Sequence, residues 1–338
     1  ISCKNMPIYD GQIYNANDNI ILLQERLVTS INLTSNSMMG SLPREIGNFP
    51  YLTSLVLSNN AITGRIPTTI INLKELESLY LDGNNMLPVI PTEMCNLPAL
   101  RELSISGNQG TASVDFLFPS EITKLTNLEI VEASNLGLTR VPQHLFEITS
   151  LQKLDLQSNQ LEGFLVESLL PNLRELKLND NRFMGSIPWS ALTNLRVFHA
   201  HNNNLNGRFD ASSISKMRNL VELNLDHNSL LDEFPAEFGD LPNLEVLKMA
   251  DNRLYFFVPE NLGDNGKLKL LDLQGNNLGG SIPESLGQST TLKEVKLDRN
   301  NLSGAIPDEI TDLVNLEILS LSGNSNLHGT FPKALGYL

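Results

Sequence analysis

The residues best suited to chemistry in this chain are two histidines that lie two positions apart. His199 and His201 would project from the same face of an extended strand, because side chains alternate along a strand. Asn224 and Asp226 hold the same two positions in the next similar segment, and two imidazoles with a carboxylate can bind a transition metal. No further strong ligand accompanies them. We therefore interpret these residues as polar side chains on a solvated sheet and expect neither a metal nor a cofactor.

The sequence lacks the signatures of catalysis. It contains no G-x-S-x-G, no H-E-x-x-H, no glycine-rich phosphate loop and no C-x-x-C pair. Its many carboxylates stand at outward positions of short predicted strands, on an open surface instead of in a cleft, which does not favour acid–base catalysis. We predict that the protein is not an enzyme.

The charge of the chain excludes several classes of partner. Its 24 lysines and arginines against 38 acidic residues give a formal net charge of −14. Nucleic acids and anionic lipid surfaces both need a basic stripe on the protein that binds them. No apolar run approaches the ~20 residues that span a bilayer. We therefore expect no nucleic-acid partner and no direct membrane insertion in this segment.

The elements that must position these residues are set by an internal repeat. The chain aligns on the pattern L-x-x-L-x-L-x-x-N-x-L-x-G-x-I-P, with an asparagine at Asn36, Asn60, Asn84, Asn108, Asn159, Asn181, Asn203, Asn228, Asn252, Asn276, Asn300 and Asn324. Leu136 holds the fifth of these thirteen positions. Successive positions are 22 to 28 residues apart, and most are 24 apart. A fixed period of this size indicates a solenoid of stacked units.

Each part of the repeat has a physical role. The L-x-L stretch alternates with period two and predicts a short parallel strand with its leucines in the core. The asparagine amide can bond the backbone groups that a tight turn leaves unpaired, so we expect it to be buried. The glycine allows a backbone conformation closed to other residues, and the proline fixes an extended corner. The remaining outer segment has room for only a turn or two of helix.

These motifs resemble the plant-type class of leucine-rich repeats, which the G-x-I-P-x-x-I/L-G-x-L extension marks. That class includes receptor-like kinase ectodomains, inhibitors of polygalacturonases, and secreted repeat proteins of plants and algae. The resemblance covers residues 27–338 and implies an α/β solenoid. It would be a right-handed horseshoe of about thirteen repeats of about 24 residues with a concave parallel sheet. It also implies a second short strand from the I-P segment and 3-10 or helical outer segments.

The ends of the chain and one interior region depart from the repeat. Ile1-Ser2-Cys3 resembles the end of an N-terminal cap, so residues 1–26 are interpreted as a cap remnant, and the array over 27–338 as truncated before any C-terminal cap. Cys95 stands where the class usually has glycine, and we interpret it as a small buried hydrophobe. Between Asn108 and Leu151 the fourth repeat is four residues longer. Its extra residues are either a ligand-facing loop or a tolerated insertion whose Phe116 and Phe118 pack inward.

The outward positions of the middle repeats are the predicted ligand-binding face. There the central column carries mixed charge, and Arg174 lies beside Arg196 in a neighbouring column. The predicted contact residues are Glu132, Lys153, Asp155, Arg174, Glu175, Lys177, Arg196, His199, His201 and Asp226. Peptide receptors of the resembling class use an R-x-R pair for a peptide carboxylate. This chain has no such pair, which argues against a peptide held in that way.

The resemblance implies extracellular recognition of a protein, a peptide or a cell-wall glycan, by a receptor ectodomain or a secreted binder. Two alternatives stay open, namely a structural or adhesive subunit of an extracellular layer or filament and an inhibitor of a secreted glycosidase. Two N-glycosylation acceptors, Asn32 and Asn301, accord with a path through the secretory pathway.

Overall fold

The computed structural model describes residues 28–333 and 336, apart from 88, 109–117, 166 and 168–169, together with the backbone of 8–9, 12–14 and 20–21. Within these residues, thirteen three-residue strands form one parallel sheet in chain order. They are Ser30–Asn32, Ser54–Val56, Ser78–Tyr80, Glu102–Ser104, Ile130–Glu132, Lys153–Asp155, Glu175–Lys177, Val197–His199, Glu222–Asn224, Val246–Lys248, Leu270–Asp272, Glu294–Lys296 and Ile318–Ser320. We number the repeats 1 to 13 by these strands and call the outward side of the sheet the concave face.

The register of the sheet follows from the L-x-L pattern. The middle residue of each strand lies opposite the middle residue of the next, as in Leu55 opposite Leu79 and Leu79 opposite Leu103. These middle residues are fully buried, whereas the flanking residues of the same strands face outward. Period-two alternation therefore separates a leucine core from a polar face, as the sequence predicts.

The asparagine ladder joins each repeat to the one before it. Asn84 donates through Nδ2 to the carbonyls of Leu81 and Leu57, both at 3.0 Å, and its Oδ1 accepts the N–H of Ile62 at 3.0 Å. The same pattern recurs along the array, so the predicted backbone bonding is confirmed. Leu136 interrupts it, because its buried side chain offers no amide.

The predicted burial of the ladder holds for only part of it. Asn84, Asn159, Asn181 and Asn252 are buried. Asn60, Asn276 and Asn300 were also expected to be buried, and that expectation is wrong, because they are partly exposed. They make the same backbone bonds as the buried members. Hydrogen bonding rather than burial is therefore the shared property of the ladder.

A second set of short strands follows the ladder in most repeats. They are Met39–Ser41, Ala61–Gly64, Asn85–Met86, Glu162–Phe164, Arg182–Gly185, Asn204–Leu205, Tyr255–Phe257, Asn277–Gly279, Ser303–Gly304 and Asn326–Leu327. They form four small parallel sheets, which we call the lateral strands. The resemblance placed this strand in the I-P segment. The strand instead ends before the corner, as Ala61–Gly64 ends before Ile66 and Pro67, because proline lacks the N–H that a ladder needs.

The outer segments are single helical turns, which the length of the repeat predicts. The 3-10 helices are Arg44–Asn48, Thr68–Asn72, Met94–Asn96, Ser120–Lys124, Gln143–Glu147, Trp189–Ala191, Ala236–Phe238, Glu284–Gln288 and Asp308–Asp312. Most begin directly after the repeat proline, as at Pro67. The α-helix Ala211–Ile214 instead begins after Asp210, whose Oδ1 accepts the N–H of Ser212 at 3.1 Å. Together, the parallel sheet and these short outer turns confirm the predicted repeat solenoid.

The core of the solenoid is a continuous column of leucines. Phe209, Phe234, Phe238 and Trp189 add an aromatic cluster, with ring centroids of Phe209 and Phe238 5.9 Å apart. Cys95 is fully buried, and burial raises the pKa of its thiol to about 11, so its interpretation as a small hydrophobe is confirmed. In the described part of the chain, no helix has the length and apolarity needed to cross a bilayer.

The irregular parts of the chain fall mainly outside the described residues. Cys3 lies there, as do residues 109–117 of the long fourth repeat, including Phe116. Phe118 is described and buried, as the inward-packing alternative expects. In the region interpreted as a cap remnant, the strands Ile8–Tyr9, Gln12–Tyr14 and Ile20–Ile21 pair antiparallel, and the interpretation stays a prediction.

Candidate functional site on the concave face

The predicted contact residues lie on five neighbouring repeats, 5 to 9. Glu132, Asp155, Lys177 and His199 are direct cross-strand neighbours, and Lys153 lies opposite Glu175. Strand alternation turns all of these side chains away from the leucine core. The structure therefore brings the central column together as the repeat register predicts.

Much of the charge in this column is neutralised within the chain. Lys153 Nζ lies 2.7 Å from Glu132 Oε1 and 3.7 Å from Glu175 Oε1, and Lys177 Nζ lies 3.0 Å from the same Glu175 atom. Burial acts to lower the pKa of Lys153, but hydrogen bonding to Glu132 and the nearby carboxylates outweigh it, so its pKa is raised. These four residues form one ion-pair network across repeats 5 to 7.

Two further predicted residues are largely enclosed. Asp155 is only 6% exposed, and burial raises the pKa of its carboxyl. It accepts hydrogen bonds from the N–H and side-chain amide of Gln157 at 3.1 and 2.9 Å. Asp226 is also 6% exposed, accepts the N–H of Ala250 at 2.6 Å and pairs with Lys248 Nζ at 2.9 Å. Both carboxylates are thus occupied by their neighbours, and Lys248 is a partner that the sequence analysis missed.

Arg174 and Arg196 differ from the rest of the face. They are exposed and adjacent, since the N–H of Arg196 donates to the carbonyl of Arg174 at 2.7 Å. Cations at the same position of other repeats are paired, as in Arg101–Glu129 and Lys269–Glu245, both at 2.7 Å. Across the described residues, neither Arg174 nor Arg196 has an ion-pair partner. Two free guanidinium groups therefore stand side by side in a strongly acidic protein.

Three buried polar atoms without a hydrogen-bond partner lie in the same two repeats, three to five residues after these arginines. They are Asn179 Oδ1, His199 Nε2 and His201 Nδ1, and within the described residues no other side-chain atom shares this property. His199 Nε2 is nevertheless engaged, because it lies 2.8 Å from Glu222 Oε1, and hydrogen bonding to His199 lowers the pKa of the Glu222 carboxyl. Burial lowers the pKa of His201, which favours its neutral imidazole. Buried polar groups are almost always bonded, so their concentration in repeats 7 and 8 marks a place for an additional polar partner.

Sequence reasoning missed Asn179 and Glu222 at this place. Asn179 lies two positions after Lys177 and donates to Gln157 Oε1 at 3.1 Å and to Asp180 Oδ2 at 2.7 Å. It occupies the same position in repeat 7 as His201 does in repeat 8, so the repeat alignment could have found it. The histidine rings lie 6.0 Å apart. Among the described residues no group of three or more His, Cys, Asp or Glu side chains is arranged to hold a metal ion.

The two glycosylation acceptors lie outside this site. Asn32 is exposed on the first strand, where its Oδ1 accepts the Thr34 hydroxyl at 2.8 Å. Asn301 is exposed after the ladder position of repeat 12, and its Oδ1 accepts the side-chain amide of Asn326 at 3.1 Å. Both positions are accessible to a modifying enzyme, and their occupancy stays a prediction.

Comparison with known proteins gives matches to repeat proteins along most of the chain. One leucine-rich-repeat family model matches residues 26–86, 50–109 and 218–278, and a second matches residues 150–170, 172–192, 291–313 and 315–338. No curated protein matches the sequence.

The solved structures that it resembles include both plant and bacterial proteins. The ectodomain of the Arabidopsis receptor kinase HAESA, in complex with an extended IDA peptide hormone, shares 32% identity with a TM-score of 0.75, over 88% of this chain and 54% of that one. The plant peptide hormone receptor RGFR1, in complex with RGF2, shares 31% with a TM-score of 0.75, over 89% and 52%. A leucine-rich-repeat protein of Leptospira interrogans shares 32% with a TM-score of 0.72, over 86% and 71%. The chain thus spans about half the length of the plant receptors.

Proposed function

Because this chain belongs to the leucine-rich-repeat family, we propose that it is an extracellular recognition module whose concave face binds a protein or peptide ligand at repeats 5 to 9. The repeat solenoid is the scaffold of many binding modules and presents an extended surface rather than a catalytic cleft. Recognition requires only non-covalent contacts from the concave-face residues, and this proposal includes no catalytic step. Its resemblance to plant receptor ectodomains supports a location outside the cell.

The observation that carries this proposal is the set of free and unpartnered polar groups in repeats 7 and 8. Arg174 and Arg196 offer two guanidinium groups, which pair strongly with carboxylate or other oxyanion groups. Asn179 and His201 lie five residues further along the same two repeats and have unused hydrogen-bonding capacity. Five residues of a strand span roughly 16 Å, so an extended ligand with an acidic group at the arginines and a polar group further along could reach both sets. The chain therefore selects a partner with local negative charge, although its own net charge is −14.

Two of the similar solved structures suggest which class of ligand the concave face binds. HAESA and RGFR1 are each described in complex with a peptide hormone. We infer that the present chain also takes a peptide or an extended segment of a protein, with an acidic residue or a free carboxyl terminus at the paired arginines. The ion-pair network of Lys153, Glu132, Glu175 and Lys177 would then contribute electrostatic complementarity. Such complementarity raises the specificity of binding more than its affinity.

The test is charge reversal at the paired arginines with a matched control. Binders are selected on the 338-residue protein from a library of twelve-residue peptides with free carboxyl termini, and Kd is measured by fluorescence anisotropy. Arg174→Glu with Arg196→Glu should weaken these peptides at least tenfold. Lys216→Glu with Arg218→Glu changes the same charge on exposed outer positions and should leave Kd within about twofold.

The dependence of Kd on salt concentration is the second measurement in this test. Binding to exposed guanidinium groups should weaken as NaCl rises from 50 to 300 mM, because screening shortens the reach of these charges to below about 10 Å. The proposal is wrong if the selected peptides bind the Arg174→Glu, Arg196→Glu protein as well as they bind the parent. It is also wrong if the outer-face control variant loses binding to the same extent.

A further inference from the structure

Phe256 has a backbone conformation that its side chain disfavours. Its φ is +78°, and it stands four residues after the ladder residue Asn252. Seven other repeats place a glycine with positive φ at that position, namely Gly40, Gly64, Gly163, Gly185, Gly207, Gly280 and Gly304. A bulky residue in the left-handed region is a strained outlier, and such outliers gather at functional positions.

Core packing does not offset this strain. Phe256 and its neighbour Phe257 are 54% and 53% exposed, and their ring centroids are 4.3 Å apart. Gly280 of the next repeat makes room for the second ring, since a Cβ there would lie 2.6 Å from Phe257 Cδ1. Two large rings are therefore held together in solvent on the lateral strands. The folded state alone gains little from this arrangement.

A groove of about 710 Å³ runs beside the two rings. Phe234, Pro235 and Val258 are buried residues of its lining, and Phe209 and Pro259 are partly buried. Its lining also includes the carboxylates of Asp232, Glu233, Glu237 and Glu260, and no lysine or arginine. Glu233 and Glu237 have no ion-pair partner within the described residues. Arg208 and Arg253 line a separate depression together with Tyr255.

We propose that this lateral groove is a second docking site, which takes a segment of a partner protein bearing an aromatic or large aliphatic side chain flanked by lysine or arginine. The volume suits one or two such side chains, since ligand pockets typically hold about 300–1,000 Å³. The apolar lining receives the anchor, and the four carboxylates pair with the flanking cations. The exposed ring faces of Phe256 and Phe257 attract the same cations.

Charge distinguishes this site from the concave face. Repeats 7 and 8 present free guanidinium groups, whereas the groove lining carries four carboxylates and no basic residue. An acidic ligand is therefore repelled from the groove, and so is a second copy of this chain, whose net charge is −14. The groove inference does not depend on the concave-face proposal, because different residues carry it.

Three fluorescein-labelled octapeptides test the groove. The first alternates lysine with phenylalanine and leucine, the second replaces its lysines with glutamates, and the third keeps the lysines but replaces its apolar residues with serine. Anisotropy titrations of the full chain at 100 mM NaCl should show binding of the first peptide, at least tenfold tighter than either of the others. Equal binding of the glutamate peptide or of the serine peptide overturns the proposal, because apolar contact or net charge alone would then suffice.

Variants locate the binding and separate it from folding. Phe256→Gly should weaken the lysine–aromatic peptide at least tenfold while the thermal midpoint stays the same or rises, because glycine accepts the backbone conformation. Glu233→Lys with Glu237→Lys should weaken it similarly. The matched control is Phe164→Ser, which removes a 70% exposed lateral ring outside the groove and should not change Kd.

Three results would overturn the assignment. The first is unchanged binding by both the Phe256→Gly and the double glutamate variants. The second is equal loss in Phe164→Ser. The third is a dimer in sedimentation velocity that Phe256→Gly abolishes, which would make a second copy the occupant. Arg174→Glu with Arg196→Glu should retain the lysine–aromatic peptide, so failure of the concave-face proposal can be told apart from failure of this one.

Discussion

The turn out of each strand depends on a residue that sequence reasoning overlooked. Directly before every ladder position stands a residue with φ between +50° and +73°. Glycine, asparagine, aspartate and serine fill most of these positions, which are the residue types that tolerate or locally stabilise the left-handed region. His227 and Arg299 are the exceptions. These residues with positive φ turn the chain away from the sheet at the end of each strand. The turn leaves backbone groups unpaired, and the ladder side chain that follows forms hydrogen bonds with them.

For single residues, we predict that one ladder asparagine contributes measurably to the free energy of unfolding. Asn181 is buried, donates to the carbonyls of Leu178 and Leu156 at 3.0 Å, and accepts the N–H of Leu161 at 2.9 Å. Asn181→Ala leaves these buried groups unpaired and should lower the free energy of unfolding by about 1–3 kcal/mol. Asn204→Ala, at an exposed position of a lateral strand, is the control. Urea melts that give equal midpoints for the two variants would show that the turn does not need the amide.

The outer segments are packed more closely than their irregular sequences indicate. Gly47, Gly239, Gly263 and Gly287 each face a backbone carbonyl of the next repeat. A Cβ built on Gly263 would lie only 1.8 Å from the carbonyl oxygen of Ser285, so the two backbones meet without room for a side chain. The I/L-G-x-L stretch therefore needs glycine at these positions, because any side chain would collide with the backbone of the next repeat. Cys95 fills the corresponding slot of repeat 3 and is itself fully buried.

Because of this contact, Gly263→Ala should destabilise the protein by about 1–3 kcal/mol, since overpacking forces the neighbouring backbone to move. Gly279→Ala is a matched control on a lateral strand. There the nearest atom to a new Cβ, the carbonyl oxygen of Phe256, is 3.5 Å away, an ordinary contact. Thermal melts should show a lower midpoint for Gly263→Ala alone. A fall of the same size in both variants would mean that alanine is disfavoured for reasons other than repeat packing.

On the scale of the whole molecule, stability is distributed along one dimension. Among the described residues, each strand of the long sheet pairs only with the strands before and after it, so its first and last strands each pair with one neighbour. The consequence is visible in burial, because Leu176 and Leu223 are enclosed whereas Ile31 and Leu319, at the same position of the end strands, are partly exposed. We therefore expect the two ends of this sheet to be its least stable parts.

Hydrogen exchange measured by mass spectrometry on the 338-residue chain should reveal this gradient. Amides of the central strands Glu175–Lys177 and Glu222–Asn224 should exchange at least a hundredfold more slowly than those of Ser30–Asn32 and Ile318–Ser320. The expected reason is opening from the ends, which exposes terminal repeats before central ones. Uniform protection along the sheet would instead indicate that all thirteen repeats unfold as one unit.

The sequence by itself determined the features of the chain that recur with the repeat. The L-x-L alternation located the strands and their outward residues, and the asparagine positions located the ladder and its interruption at Leu136. Repetition makes such inferences reliable, because every unit must bury the same face against its neighbours. The central column of Glu132, Asp155, Lys177 and His199 followed from the same register.

Only the tertiary structure decided what the side chains on these positions do. Lys153 and Lys177 are engaged by carboxylates of adjacent strands, whereas Arg174 and Arg196 stay free. The unpartnered atoms of Asn179 and His201, and the strained, exposed Phe256, could not be found in the repeat pattern either. The physical reason is that pairing, enclosure and strain depend on rotamers and on neighbours some 22–28 residues away, which the period places side by side without fixing their contacts.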